Sequence, residues 1–406
     1  MIAHRFRQVF SAYDPQLWVL FIGWVISSMG FAMIVPFVSI YFYLELGIPM
    51  SVVGGFFFFS ALIRAGSQII AGNLSDSIGR RKIMIFAQMV RGAVFFGVAV
   101  TIQYRLSFLI TGGILIIGYL FASFFQPVAN AMVADIVPVE KRTEAYGLMK
   151  IAANIGWGIG PAAGGLLAKN SYALLFWAGG VLAILSGITI VLFIRESNIY
   201  RTGFHYSTFR PKRMLQIFQD RTFVQFCIIS LLMFLTMAQL IATLSVYAKQ
   251  TIALTNSQLG LMYSTNAFLV VFFQMIVARL VQGRNLLLVL ASGSILYSIG
   301  YWLMIFPQSL GGILILIAVI TTAEMLVSPA SSTMVARMAA TEHYGIYMGA
   351  YGLFGTLGWS IGPFIGGLLI DYAPDAITLW SGVAIFGMIG GVGFLWMNAR
   401  HPELRE

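Results

Sequence analysis

The sequence predicts an all-α membrane protein with twelve transmembrane helices in two pseudo-symmetric six-helix bundles. Three observations carry that prediction. Only 9% of the 406 residues are charged and 59% are hydrophobic, whereas a soluble domain holds about 25% charged residues. Apolar runs of roughly 20 residues recur along the chain, each long enough to cross ~30 Å of hydrocarbon. The third observation is a repeat. Gly156-Trp157-Gly158-Ile159-Gly160-Pro161-Ala162-Ala163-Gly164-Gly165-Leu166-Leu167 returns 202 positions later as Gly358-Trp359-Ser360-Ile361-Gly362-Pro363-Phe364-Ile365-Gly366-Gly367-Leu368-Leu369. Without gaps, 127–167 matches 329–369 at 15 of 41 positions, including Pro127/Pro329, Glu140/Glu342 and Gly147/Gly349. Self-similarity at half the chain length is how many transporters are built around a central site.

The elements follow in order. Six spans cover 15–43, 51–73, 83–102, 107–134, 144–168 and 172–194. Six more cover 222–248, 256–280, 286–306, 310–335, 345–371 and 376–398. Lipid offers no partner to a backbone amide or carbonyl, so each span is a helix. The first holds Pro36 and follows Arg5 and Arg7; it is too long for a signal-peptide core and is read as retained. Charges gather between spans. Eighteen of the 24 basic residues, among them Arg80, Arg81, Lys82, Lys141, Arg142, Arg195, Arg279, Arg284, Arg337 and Arg400, fall on the side of the termini. Three, Arg105, Lys169 and Lys249, fall on the other side. That bias places both termini in the cytoplasm of a cell (inner or plasma) membrane.

The net charge of +10 therefore reports topology and contact with membrane lipid headgroups, with no nucleic acid as partner. The single cysteine, Cys227, excludes an intramolecular disulfide and a cysteine metal centre. No His-Glu-x-x-His, Gly-x-Ser-x-Gly or phosphate-binding Gly-Lys-Ser/Thr pattern occurs. The expectation is no enzyme activity, no cofactor and no metal, with energy drawn from an ion or solute gradient. The longest polar stretch, 195–221, is read as a cytoplasmic linker between bundles 1–194 and 222–406. Met214, Leu215, Ile217 and Phe218 within it fit a short helix on the membrane surface as well as they fit a disordered linker.

Gly72-Asn73-Leu74-Ser75-Asp76-Ser77-Ile78-Gly79-Arg80-Arg81-Lys82, between spans two and three, resembles the loop signature of the major facilitator superfamily. Locally, Gly79 permits a tight turn and Asp76 is suited to cap backbone amides. The repeated Gly-x-x-x-Gly-Pro-x-x-Gly-Gly is similar to the fifth-helix signature of that family's drug/proton antiporters. The resemblance implies the superfamily fold and a latch made of Gly72, Asp76, Gly79, Arg80, Arg81, Asp135 and Arg142. It also implies bending helices shaped by Gly156, Gly160, Pro161, Gly164, Gly358, Gly362, Pro363 and Gly366; small residues let helices approach and proline bends them. Departures are visible. Gln282 stands where the second half's latch acid would be, and Ile114 stands where many family exporters carry an arginine.

Ionisable residues deep in a span are expensive and usually functional. Glu324 is the only acid in the middle of a span. It is the expected proton carrier, or else a structural carboxyl bonded to Thr321, Thr322 or Ser328. Arg64 in the second span is suited to an anionic group, to Glu324, or to a backbone carbonyl. Arg91 and Lys150 sit close enough to the cytoplasmic face to snorkel. Gln68, Asn154, Gln239 and Asn266 are candidate polar cavity residues, and Trp24, Phe125 and Tyr351 candidate apolar ones. The same residues also suit helix-to-helix contacts. The function expected is proton-coupled efflux of amphipathic or drug-like small molecules by alternating access, in a monomer. The alternative is a uniporter or symporter of a metabolite, anionic solute or lipid-linked cargo.

Overall fold

The structure is a computed structural model that describes residues 13–197, 219–339 and 344–404. Its helices are α1 (Pro15–Ile40), α2 (Met50–Ile78), α3 (Arg80–Gln103), α4 (Phe108–Ile136), α5 (Arg142–Ala168), α6 (Tyr172–Phe193), α7 (Arg221–Met237), α8 (Thr243–Gln250), α9 (Asn256–Val281), α10 (Leu286–Trp302), α11 (Leu310–Met338), α12 (Tyr344–Tyr372) and α13 (Ala376–Arg400). Among the described residues, twelve helical segments are long and apolar enough to cross a membrane, α7 and α8 counting together as Arg221–Gln250. The twelve expected spans are therefore present, with ends close to those read from the sequence. The surface helix around Met214, Leu215, Ile217 and Phe218 lies outside the described residues.

Local chemistry sets the helix ends. Ser171, Asp220, Thr255, Asn285, Ser309 and Asp375 each cap a helix by accepting a backbone N–H, satisfying amides that the helix leaves open. One expectation is corrected at such an end. The stretch from Gly72 to Lys82 is not a loop: α2 runs through it to Ile78 and α3 starts at Arg80. The whole reversal rests on Gly79, whose φ of +113° no L side chain adopts without strain.

The chain forms two compact units, Met1–Phe37 with Leu62–Ser207, and Val38–Ala61 with Thr208–Glu406. In the first, α3 packs against α4 and α6. Buried Gln88 ties three helices together: its Nε2 donates to Ser27 Oγ (2.9 Å) and Ser186 Oγ (3.1 Å), and Ser186 donates to the Gly23 carbonyl (2.9 Å). The motif glycines of α5 lie along α1. A Cβ at Gly160 would stand 2.7 Å from the Met29 carbonyl oxygen, so the two backbones approach as far as glycine allows.

The second unit repeats the plan. Helix α10 packs against α11 and α13, and α12 lies on α7. A Cβ at Gly362 would stand 2.5 Å from Ala238 Cβ. Thus the fifth and eleventh spans carry the same glycine strip to the first and seventh. Residues 38–61 precede the expected linker in sequence but pack with this unit. There the Met50 and Ser51 amides at the start of α2 donate to the Asp371 carboxylate at 2.8 and 2.7 Å, a negative charge on a helix N-terminus.

Candidate functional site

Glu324 sits half-buried on α11 within the second unit. Asn266 on α9 reaches across to it. Asn266 Nδ2 donates to Glu324 Oε2 at 3.0 Å and to Thr321 Oγ1 at 2.9 Å. Thr321 donates its own hydroxyl proton to the Ile317 carbonyl at 2.6 Å. From α10, Tyr297 and Tyr301 lie within electrostatic range of the Glu324 charge. Their rings stack, with centroids 6.4 Å apart and planes 10° apart, because positions four apart share one helix face. Asn266 was expected among the cavity residues; the structure places it against the acid. The two tyrosines were not singled out in the sequence, although their spacing was the available signal.

The seventh span is broken, which its sequence did not suggest. After α7 ends, Ala238–Leu240 form a 3-10 turn, and α8 begins at Thr243. Freed carbonyls in a membrane need partners, and side chains supply them. Gln239 Nε2 donates to the Leu235 carbonyl (2.8 Å) and to the Gly362 carbonyl (2.9 Å), and Thr243 donates to Gln239 Oε1. Tyr263 Oη lies 2.9 Å from both the Leu240 and the Ile241 carbonyl oxygens, shares its proton between them, and also contacts Ser245. Gln239 is thus committed to the break and 1% exposed. In this structure it presents no amide to a solute.

Among the first unit's candidates, Arg64 is half-buried on α2. Its Cζ lies 5.9 Å from the ring centroid of Tyr119 on α4, a cation–π contact. It forms no salt bridge among the described residues. Gln68, one turn further along, is exposed, and Asn154 on α5 is half-buried. The apolar candidates are placed differently from the expectation that they line a pocket. Trp24 and Phe125 meet edge to face at 5.6 Å inside the hydrophobic core. Tyr351 is buried between Phe226 and Phe234. All three pack instead of presenting a surface to a solute. Arg91 does not snorkel: it is 4% exposed and donates from Nη2 to the Ser27 carbonyl at 3.3 Å. Lys150 is exposed.

The latch residues form a charge cluster at the Gly79 reversal. Arg80 bridges Asp76 (2.6 Å) and Asp135 (3.1 Å) and donates to Ser75 Oγ (2.7 Å). Ser197 donates to the same Asp135 oxygen at 3.0 Å. One expectation changes here. Asp76 is inside α2 and pairs with Arg80. Arg142 does not join the cluster; its Nε donates to the Val137 carbonyl at 3.2 Å. Arg81 ties the reversal to the end of α6 by donating from its amide to Glu196 (3.2 Å) and from Nη2 to the Val191 carbonyl (2.7 Å). Nearby, Tyr13 donates to Glu144 at 2.5 Å. Burial, then that hydrogen bond and the Glu144 charge, push the Tyr13 phenol up to about 12 from its ordinary 10. No cluster of three or more His, Cys, Asp or Glu residues that would hold a metal occurs among the described residues.

Comparison with known proteins places this architecture. The sequence profile of the Major Facilitator Superfamily matches residues 20–363 and 226–405. The Quinolone resistance protein NorA of Staphylococcus aureus is 23% identical over 378 residues, covering 93% of this chain and 95% of that protein. A Na(+), Li(+), K(+)/H(+) antiporter of Planococcus maritimus is 22% identical over 424 residues, covering 95% and 96%. Among solved structures, a bacterial homolog of the human lysosomal transporter Spinster superposes with a TM-score of 0.75 at 14% identity, over 96% of this chain and 97% of that one. The human organic anion transporter MFSD10 does so at 0.64 and 17%, over 94% and 100%. With its duplicated six-span plan and a profile match over nearly its whole length, this chain belongs to the Major Facilitator Superfamily and is a multi-pass membrane transporter, not an enzyme.

Proposed function

We propose that this transporter exports amphipathic or drug-like small molecules in exchange for protons, by alternating access, and that Glu324 carries the proton. The observation behind this reading is a carboxyl in the middle of a membrane helix that accepts from an amide at 3.0 Å and has two phenols in electrostatic range. An ionisable side chain this deep in a span is expensive, and such acids mark ion and proton pathways. The resemblance to a quinolone resistance protein and to a cation/proton antiporter supports the same class. In this scheme the protein acts as a monomer in the cell (inner or plasma) membrane with both termini cytoplasmic. The two bundles are 1–194 and 222–406, the Asp76–Arg80–Asp135 cluster holds one end state, and the two glycine strips are the surfaces on which helices bend. Arg64, Gln68 and Asn154 are the candidate solute contacts. Replacement by Glu324→Gln, assayed in proteoliposomes, abolishes pH-gradient-driven transport and leaves substrate binding measurable. Gradient-driven transport at the wild-type rate would remove Glu324 from the mechanism.

A second reading rests on Arg64. A guanidinium in a span with a ring as its partner and no salt bridge among the described residues suits an anionic cargo, carried by uniport or symport.

A further inference from the structure

The break in the seventh span gathers oxygen atoms from three helices. We infer that the carbonyls of Leu240 and Ile241, with the hydroxyls of Tyr263 and Tyr301, form a binding site for a monovalent alkali cation. The inference goes beyond the proton reading and does not depend on it, since none of the four ligands is Glu324.

The argument starts from donors and acceptors. Tyr263 Oη, brought in by α9, lies 2.9 Å from the Leu240 carbonyl oxygen and 2.9 Å from that of Ile241. A phenol has one hydrogen, so it serves one of these carbonyls at a time. Ser245 on α8 donates its own hydrogen to the Ile241 carbonyl at 2.9 Å and contacts Tyr263 Oη. Lone pairs therefore outnumber hydrogens around the break. Helix α10 adds one more oxygen. The Tyr301 side chain is 0% exposed, and its hydroxyl makes no hydrogen bond among the described residues. It lies close to the Leu240 backbone and within electrostatic range of Tyr263. A buried hydroxyl without a partner is costly. A cation is the ligand that takes lone pairs and asks for no hydrogen.

Only one hydrogen has to move. Tyr263 turns its hydrogen from the carbonyls to Ser245 Oγ, which has a lone pair to accept it. The Ser245 hydrogen stays on the Ile241 carbonyl, whose second lone pair faces the cation. Tyr263 Oη and the Leu240 carbonyl each then present a lone pair as well, and Tyr301 Oη completes the set. Unwound carbonyls of a broken membrane helix are suited to coordinate Na+ in this way. The ligand set fixes the ion class. Carbonyl and hydroxyl oxygens suit hard cations, and a divalent ion draws on several carboxylates. Here Glu324 lies within electrostatic range of Tyr301, and one negative charge matches one positive. A search for His, Cys, Asp and Glu clusters does not find such a site, because its ligands are neutral oxygens.

The test measures Tm of the whole protein in detergent, at one pH and constant ionic strength, as choline chloride is exchanged for LiCl, NaCl or KCl. A cation that binds the folded state raises Tm, and the concentration at which the rise begins follows its affinity. At least one of the three salts is expected to raise Tm of the wild type. Tyr301→Phe removes a hydroxyl that makes no hydrogen bond, so it keeps the wild-type Tm in choline chloride. It moves the onset of the rise to about tenfold higher salt. Ser245→Ala removes the acceptor for the Tyr263 hydrogen and moves the onset in the same direction. If none of the three salts raises Tm of the wild type, the site is overturned. An onset equal in wild type, Tyr301→Phe and Ser245→Ala puts the cation elsewhere and overturns it too. Neither result bears on the Glu324→Gln transport assay, so this site and the proton reading fail separately.

Discussion

At the scale of the residue, the outcome of each candidate was decided by its neighbours. Glu324 stood out in the sequence because it is the one acid in the middle of a span, and its site is legible to that extent. Its partner is 58 residues away on another helix, and no spacing rule in a single sequence connects the two. Asn266 and Gln239 looked alike as polar residues in apolar runs. One faces the acid and the other is spent on a helix break. Trp24, Phe125 and Tyr351 were drawn from a large aromatic population, and burial sorted them into the core. A residue-scale prediction follows outside the membrane. The Tyr13 phenol titrates at about 12 when folded and at about 10 when unfolded. A raised folded value, set first by burial and then by the Glu144 hydrogen bond and charge, means a contribution that is full below pH 10 and is lost as pH rises from 10 to 12. In detergent, Tyr13→Phe therefore lowers Tm on the order of 2 °C at pH 8, and the difference closes by pH 12. A gap that stays constant across that range would mean that folding does not raise the Tyr13 phenol.

At the scale of the element, the spans were legible because a membrane helix needs a long apolar run, and that run is written in the sequence. The Gly79 reversal was legible as a turn, but not as a turn of one residue. Ser75 and Ser77 donate to the Gly72 and Leu74 carbonyls, so polar residues that signal a loop are accommodated within a helix. The break in the seventh span was not legible at all. Residues 221–250 contain neither proline nor glycine, the usual local causes of a kink. Its cause is tertiary: Gln239 and Ser245 turn onto the backbone, Thr243 donates to the Gln239 side chain, Gly362 and Gly366 leave them room, and Tyr263 takes the freed carbonyls. The replacement Tyr263→Phe leaves those carbonyls short of a donor and costs about 1–3 kcal/mol. A lowered Tm together with faster amide hydrogen exchange over 238–245 is the expected result. Unchanged exchange there would place the support of the break elsewhere.

At the scale of the whole molecule, the duplication and its departures have separate consequences. Each repeat brings the same packing plan: the third and ninth spans each pack on two neighbours of their unit, and the glycine strips of the fifth and eleventh spans lie against the first and seventh. That plan was readable because Gly-x-x-x-Gly-Pro-x-x-Gly-Gly occurs twice. The chemistry lies where the copies differ. Ala122 occupies the position 202 residues before Glu324, and Gln282 replaces the acid corresponding to the Asp76 signature position. The duplicated scaffold supports bending, and the unmatched acid supports coupling. The most direct test of that account records the pH inside proteoliposomes while a substrate gradient is imposed inward with no initial pH difference. Proton antiport predicts that the lumen turns alkaline as substrate enters and that Glu324→Gln abolishes the change. A lumen that turns acid, or wild-type protein that moves substrate with no change in pH, would contradict it.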